Sequence, residues 1–241
     1  FYADWLIDLS KIRELRYITH SNDWVELGAM TTYAQIVESK EIQAAAPLLA
    51  QAASLVGSMQ IRHRGTIGGN IGNASPAGDT LPPLLALNAE VVLVNSRGSR
   101  SLPLSEILVG PGKTALSQDE IIQAVRFRAL KPSAKSIFLK LGSREGMAIS
   151  IVSVAMVIQT DAKGTIEDVR IALGAVAPTA IRCYEAECLL MGQKLTMDII
   201  EEASNLAVRS CSPITDIRGT AEYRRHAVKV LVKRGLRSFL S

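Results

Sequence analysis

Apolar and polar residues alternate in short runs over residues 6–30, and this period of two is typical of half-buried β-strands. The runs are IDLSKI, LRYI and WVELGAM. The spacing of apolar residues then lengthens to that of helices. Thr31 or Thr32 is placed to cap a short helix through Ile36, and a second helix is predicted over residues 42–56, with Pro47 near its first turn. Gly57 is expected to end it.

Residues 62–79 interrupt this periodicity. They are too polar and too rich in Gly, Asn and Ser for regular structure, so the sequence predicts a loop. The chain continues as a short helix, PPLLAL, a strand, AEVVLVNS, that turns at Gly98, and a further strand, EIIQAVRF. Pro132 then breaks the pattern. We therefore predict a domain boundary there, with one domain over residues 1–132 and a second over residues 133–241.

The second domain is predicted to be an antiparallel sheet followed by three helices. Its strands are SIFLKL, AISIVSVAMVIQ and EDVRIALGAV, with a hairpin turn at residues 161–164 between the last two. The first helix is expected to end near Gly192. The second is expected to span residues 197–208 and the third residues 220–234, with Gly235 as the C-cap of the third. Because sheet precedes helices, the pattern indicates an α+β fold rather than a doubly wound parallel sheet.

Composition narrows the class of protein further. The 241 residues are 48% hydrophobic with a net charge of +4, and no apolar run reaches the ~20 residues of a membrane-spanning helix. Membrane insertion is therefore not expected. Cys183, Cys188 and Cys211 have no CxxC spacing, which favours buried thiols in a reducing compartment, the cytoplasm. Neither these thiols nor the three scattered histidines predict a metal site.

The stretch with chemical information is QIRHRGTIGGNIGNASPAGDTLPPLLAL, over residues 60–87. Gly68 and Gly69 permit close approach of a ligand to the main chain, and successive N–H groups there could bind a phosphate. Thr66, Asn70 and Asn73 add short polar side chains, and Asp79 adds an acceptor for a hydroxyl or ring N–H. Paired glycines alone are more typical of a tight structural turn than of a ligand site. The stretch matches neither GxGxxG nor GxxxxGK[ST], so a Rossmann fingerprint and a P-loop are both unsupported.

As a whole, TIGGNIGNASPAGDTLPPLLAL closely resembles the second flavin-binding loop in the FAD subunit of molybdenum hydroxylases, the family of xanthine dehydrogenase and carbon monoxide dehydrogenase flavoproteins. LIDLSKIRELRYI, LGAMTTYAQI, KLGSREGMAISIVSVAM and RGTAEYRRHAVKVLVKRGL resemble further segments of that family in the same order. Family members also carry an upstream Ala-Gly-Gly-Thr type loop. This sequence starts at Phe1, after that point, so the resemblance implies that the FAD-binding domain is incomplete at its N-terminus.

The resemblance implies a set of FAD-binding residues and no catalytic acid, base or nucleophile. The set is Thr66, Ile67, Gly68, Gly69, Asn70 and Asn73 on the loop, with Asp79, Ile122 and Lys140 beyond it. Four residues have plainer interpretations. Asp79 is also placed to cap the following helix, Lys140 is also typical of a solvated strand position, and Arg144 with Glu145 favours a surface turn.

The implied function is electron transfer. A molybdopterin-binding large subunit would oxidise the substrate, a small subunit with two [2Fe-2S] clusters would relay electrons, and this flavoprotein would pass them to NAD, oxygen or a quinone. One alternative is an assembly subunit of the same complex without flavin. The other is a nucleic-acid-binding protein, suggested by the i, i+4 stripe of Arg225, Lys229, Lys233 and Arg237. That stripe lacks aromatic residues and is more typical of a solvated helix face, so no nucleic-acid partner is expected.

Overall fold

A computed structural model describes residues 5–144 and 146–240 of the protein. Eleven strands lie within these residues, in chain order: β1 (Ile18–Ser21), β2 (Trp24–Gly28), β3 (Glu90–Asn95), β4 (Gly98–Pro103), β5 (Leu108–Gly110), β6 (Lys113–Thr114), β7 (Ile121–Arg128), β8 (Lys135–Leu141), β9 (Val152–Thr160), β10 (Ile166–Gly174) and β11 (Ile181–Arg182). The α-helices of the same residues are α1 (Tyr33–Glu38), α2 (Lys40–Ala45), α3 (Pro47–Ser54), α4 (Met59–Arg64), α5 (Ile67–Asn73), α6 (Leu81–Ala86), α7 (Leu104–Ile107), α8 (Tyr184–Leu190), α9 (Met197–Arg209) and α10 (Ala221–Arg237).

The first half is built on a five-stranded antiparallel sheet in the order β1-β2-β7-β3-β4, with β5 and β6 as a separate pair. The predicted strands WVELGAM, AEVVLVNS and EIIQAVRF all lie in this sheet. Val25, Leu27, Val125 and Phe127 are fully buried, and they share one apolar core with residues of α1, α2, α3, α5 and α6. The alternation of these residues with polar ones explains why period-two patterning predicted the strands.

The opening IDLSKI is not a strand, contrary to the pattern. Its residues Leu9–Lys11 form a 3₁₀ turn, and a second 3₁₀ turn, Arg13–Leu15, follows it. The carboxylate of Asp8 accepts a hydrogen bond from the N–H of Ser10 at 2.8 Å, and local bonds of this kind compete with strand pairing.

The predicted helix over residues 42–56 is two helices, α2 and α3. They are separated at Ala46, whose φ of −153° and ψ of 62° are not helical, and Pro47 occupies the first turn of α3. Proline disfavours helical angles in the residue before it and lacks an N–H, so the helix breaks there. The α1 prediction is confirmed: Thr32 caps that helix in a reciprocal pair with Gln35.

The prediction of a loop over residues 62–79 is wrong for about half of those residues. The last turn of α4 and the whole of α5 lie within this range. Helix α5 contains three glycines, yet Ile67, Gly68 and Ile71 line one side of it and are buried. Burial of this stripe against the core outweighs the poor helix propensity of glycine, about 1 kcal/mol per residue.

The second half is a four-stranded antiparallel sheet, β11-β10-β9-β8, packed against α8, α9 and α10. The strand, turn and helix predictions are confirmed, except that Gly235 lies inside α10 rather than at its C-cap. A Cβ on Gly235 would be 2.8 Å from the sulfur of Met156, so the glycine permits close contact between helix and sheet. The α+β class predicted from the sequence is confirmed.

Two further predictions concern the cysteines and the membrane. Cys183 and Cys211 are buried thiols, as expected, but Cys188 is exposed. Within residues 5–144 and 146–240, no helix is both long and apolar enough to cross a bilayer.

Candidate flavin site

Helix α5 has one buried side and one exposed side. The hydroxyl oxygen of Thr66 caps it by accepting the N–H of Gly69 at 3.1 Å. Gly69, Gly72 and Asn73 follow at i, i+3 and i+4 spacing, and all three are exposed. Two of the three residues on this exposed side therefore have no side chain, and the helix backbone is open to a ligand.

The glycines of α5 differ in what surrounds them. A Cβ on Gly68 would lie 2.5 Å from the Cβ of Ala29, so this glycine is required by packing. A Cβ on Gly69 would meet only the Thr66 hydroxyl, and one on Gly72 only the Cδ1 of Ile122, at 3.8 Å. None of these glycines has a positive φ, so the alternative of a tight structural turn is wrong. A Cβ on Gly69 would lie 2.9 Å from the Thr66 hydroxyl that caps the helix, so among these three glycines it is Gly72 whose missing side chain no packing contact explains.

The main-chain N–H groups at the start of α5 already have partners. Ile67 donates to the carbonyl of Thr31 at 3.0 Å and Gly68 to the carbonyl of Ala29 at 2.8 Å. Only the N–H of Gly69 bonds to a side chain, which a ligand could replace. The N–H cradle for a phosphate expected from the sequence is therefore not formed, and the exposed side of α5 is the better ligand surface.

Three other predicted residues surround this surface. The Oδ1 of Asn70 accepts a hydrogen bond from the hydroxyl of Thr80 at 2.5 Å, and this bond connects α5 to the turn before α6. The side chain of Asn73 is exposed, and that of Ile122 is 8% exposed on β7, next to Gly72. The side chain of Ile67 is fully buried, so only its main chain could face a ligand.

Asp79 and Lys140 form a buried ion pair between the two halves of the chain. The Nζ of Lys140 is 2.5 Å from the Oδ2 of Asp79, and the two side chains are 8% and 9% exposed. Lys140 also donates to the carbonyl of Leu55 at 3.0 Å, and Ser150 donates to the Oδ1 of Asp79 at 2.6 Å. Both plainer interpretations are wrong, because α6 is preceded by Thr80 without a side-chain cap and Lys140 is not solvated. The pair joins residues 61 positions apart.

Burial raises the pKa of Asp79 above its ordinary value, because a carboxylate loses hydration in the interior. The nearby ammonium of Lys140 and the hydroxyl of Ser150 act in the opposite direction. Tyr33 lies close by and its pKa is also raised by burial, so it adds no negative charge. Lys140 is thus the cation that compensates the charge of Asp79.

A cleft of about 520 Å³ opens beside Lys140. It is lined by the end of α3, by Gly57 and Arg62, and by the segment after β8. Arg62 donates to the carbonyls of Val56 and Gly57 at 3.1 and 3.3 Å, which fixes its guanidinium at the cleft. Arg144 is exposed at the cleft, as predicted, whereas Glu145 lies outside the described residues. Sequence reasoning missed Arg62 and Ser150; the position of Arg62 within QIRHRGTIGG was the one available signal.

The basic stripe on α10 is partly neutralised. Lys229 and Lys233 bond to the two carboxylate oxygens of Glu201 on α9, at 2.7 and 2.5 Å. Two of the four cations of the stripe thus pair with α9, whereas Arg225 and Arg237 stay exposed, so the observation that suggested a nucleic-acid-binding protein is weakened.

Residues 1–127 match the family model for the FAD binding domain in molybdopterin dehydrogenase, and residues 137–239 match that for the CO dehydrogenase flavoprotein C-terminal domain. The fold and these two matches thus define an FAD-binding flavoprotein of two domains. The chain belongs to the family of FAD-binding subunits of molybdenum hydroxylases.

Three relatives support this assignment. The glyceraldehyde dehydrogenase medium chain of Sulfolobus acidocaldarius is 34% identical over 97% of this chain and 82% of its own length. The carbon monoxide dehydrogenase medium chain of Hydrogenophaga pseudoflava is 34% identical over 96% of this chain and 80% of its own length. The putative xanthine dehydrogenase FAD-binding subunit of Escherichia coli K12 is 32% identical over 95% of this chain and 79% of its own length.

Solved structures show the same fold. Carbon monoxide dehydrogenase from Hydrogenophaga pseudoflava has a TM-score of 0.90 at 35% identity, over 93% of this chain and 78% of that one. Quinoline 2-oxidoreductase from Pseudomonas putida 86 has a TM-score of 0.91 at 26% identity, over 98% of this chain and 82% of that one.

Proposed function

We propose that the exposed side of α5, with Asp79 and Lys140, holds FAD in a subunit that carries electrons out of a molybdenum hydroxylase complex. The observation that supports this most directly is the pair of exposed glycines, Gly69 and Gly72. Side chains there would occupy the space over the helix, and their absence leaves room for a flat or extended ligand.

Thr66, Asn73 and Ile122 would border the cofactor on this surface, while Ile67 and Gly68 would hold α5 against the core. Asn70 would fix the turn that carries Asp79 through its bond with Thr80. Bound FAD supplies reversible uptake and release of electrons, and the protein supplies the pose and the surrounding charge.

Asp79 and Lys140 retain hydrogen-bonding capacity after their bonds to each other. A carboxylate offers about four acceptor sites, of which Ser150 and Lys140 use two. An ammonium offers three donors, and Lys140 uses two of them, on Asp79 and Leu55. We assign the third donor to the cleft that Lys140 lines, where it would meet a polar edge of the flavin.

The partners follow from the family. Relatives are named as medium chains or FAD subunits of dehydrogenase complexes, among them carbon monoxide dehydrogenase. We infer that this subunit takes electrons from the [2Fe-2S] clusters of a small subunit, that a large subunit holds molybdopterin, and that NAD, oxygen or a quinone accepts the electrons.

We also propose a division of the chain at residues 132/133, between the ranges matched by the two family models. The three free thiols are compatible with a reducing location, the cytoplasm.

The test is to purify the complex through a tag on this subunit, denature it and quantify the released nucleotide, iron and molybdenum. We expect about one FAD per chain together with iron and molybdenum from partner subunits. Reduction by substrate, followed by mixing with NAD, oxygen or a quinone, would identify the acceptor. Release of FMN, or of no flavin from a complex that contains molybdenum, would refute the proposed function.

A further inference from the structure

Ser150 is buried between the two domains and bonds to the most buried acidic group of the flavin site. It lies just before β9 and is 1% exposed. Its hydroxyl donates to the Oδ1 of Asp79 at 2.6 Å, while the Oδ2 of the same carboxylate receives Lys140. Each oxygen of Asp79 therefore has its own donor from the second domain.

Two donors on two oxygens restrict a carboxylate more than either one alone. The ammonium of Lys140 can move around a single oxygen, because it is a nearly spherical group on a flexible stem. A second bond to the other oxygen fixes the rotation of the carboxylate about its χ2 angle, which is otherwise broad. Ser150 thereby determines which lone pairs of Asp79 remain for a ligand.

We propose that Ser150 is a positioning residue for FAD binding, which holds the carboxylate of Asp79 in the orientation and charge state that the cofactor requires. The inference rests on the proposed function, since it takes Asp79 as part of the flavin site. Ser150 itself touches Asp79 and not the reacting atoms.

The charged and titratable groups that face Asp79 are Lys140 on β8 and Tyr33 on α1, with Ser150 as the neutral donor. Burial raises the pKa of Asp79, and Ser150 lowers it by bonding to the charged form. Removal of the Ser150 hydroxyl therefore raises this pKa further. If FAD requires the ionised carboxylate, its affinity will begin to fall at a higher pH in the variant than in the wild type.

The experiment measures FAD affinity of the full-length protein from pH 5 to 9, by quenching of flavin fluorescence, for wild type and Ser150→Ala. We expect the variant to bind FAD more weakly across the range, because the carboxylate is no longer held in one orientation. On the acidic limb the loss should grow to about tenfold, the lower range for a hydrogen bond to a charged group. Ser153→Ala is the matched control, because Ser153 is also 1% exposed in the same domain. Its pH profile should follow the wild type.

A second pair of variants makes the result specific. An Asp79→Asn background lacks the carboxylate on which Ser150 is proposed to act, so Ser150→Ala should then change FAD affinity by less than about twofold at every pH. Ser150→Cys nearly keeps the volume but weakens the donor, and it should reproduce the displaced profile if the alanine variant unfolds. Melting temperatures identify any variant that fails to fold.

The outcomes separate the two hypotheses. Weak binding by Asp79→Asn with an unchanged profile for Ser150→Ala and Ser150→Cys would overturn the role of Ser150 and leave the site intact. Unchanged affinity in Asp79→Asn would show instead that the proposed flavin site is misplaced. A uniform loss at all pH values in Ser150→Ala, matched by Ser153→Ala, would show a structural role only.

Discussion

Replacing Gly72 with alanine should make the protein more stable and its hold on FAD weaker. A Cβ at this position would have one neighbour within 4 Å, the Cδ1 of Ile122 at 3.8 Å, which is ordinary contact. The exposed helix would therefore gain the advantage of alanine over glycine, about 0.5–1 kcal/mol. For a chain of this length that amounts to a rise in melting temperature of roughly 1–4 °C.

The cost should appear in cofactor binding. The added methyl group would stand on the open side of α5, where the flavin nucleotide is proposed to lie against the backbone. We expect Kd for FAD to rise about tenfold in Gly72→Ala, a loss of about 1.4 kcal/mol, and further in Gly72→Val. Calorimetric melting with and without excess FAD measures both effects, because the stabilisation by ligand shrinks as Kd rises.

Gly68→Ala is the matched comparison on the same helix. Its Cβ would be 2.5 Å from the Cβ of Ala29 and 2.7 Å from the carbonyl oxygen of that residue. Overpacking of this kind costs typically 1–3 kcal/mol, so this variant should melt lower than wild type. A Gly72→Ala protein that is more stable and binds FAD as tightly as wild type would refute the placement of the cofactor on this surface.

Other substitutions test the electrostatics. Lys140→Met leaves the carboxylate of Asp79 buried without its cation, so it should lower the free energy of unfolding, measured in urea, by about 3–5 kcal/mol. The double variant Asp79→Asn, Lys140→Met should recover most of that loss. An equal loss in both variants would contradict a paired role. Lys229 and Lys233 lower the pKa of Glu201 from 4.5 to about 2, so the ion pairs stabilise the fold above pH 4.5 and this stabilisation is lost as the pH falls towards 2. The melting temperature of Glu201→Gln should accordingly lie below that of wild type at pH 7 and converge with it near pH 2; a constant difference would show that charge is not the cause.

Helix α5 illustrates the limit of local patterns. Its sequence, IGGNIGN, has glycine or asparagine at five of seven positions, and propensity alone predicts a loop. The signals for a helix were present: Thr66 as a cap, and Ile67 and Ile71 at i, i+4 spacing. They are decisive only because Ala29 and the first sheet bury that side, and the sequence does not state which distant segment covers a short apolar stripe.

The strands of both sheets were easier to predict, because alternation is a local property and buried strands such as VSVAMVIQT are almost continuously apolar. The ion pair of Asp79 and Lys140 lies at the other extreme. Each residue was predicted to face the flavin, but their bond depends on how two domains meet, across 61 positions of sequence.

Ser150 carries no local signal at all, since a serine in an apolar strand-like run has many structural uses. Its significance comes from burial and from one contact, both of which arise only when the second domain packs on the first. Of the proposed site, the sequence thus identified the helix surface and the residues Asp79 and Lys140. It missed Ser150 and the contacts by which the second domain holds the carboxylate of Asp79.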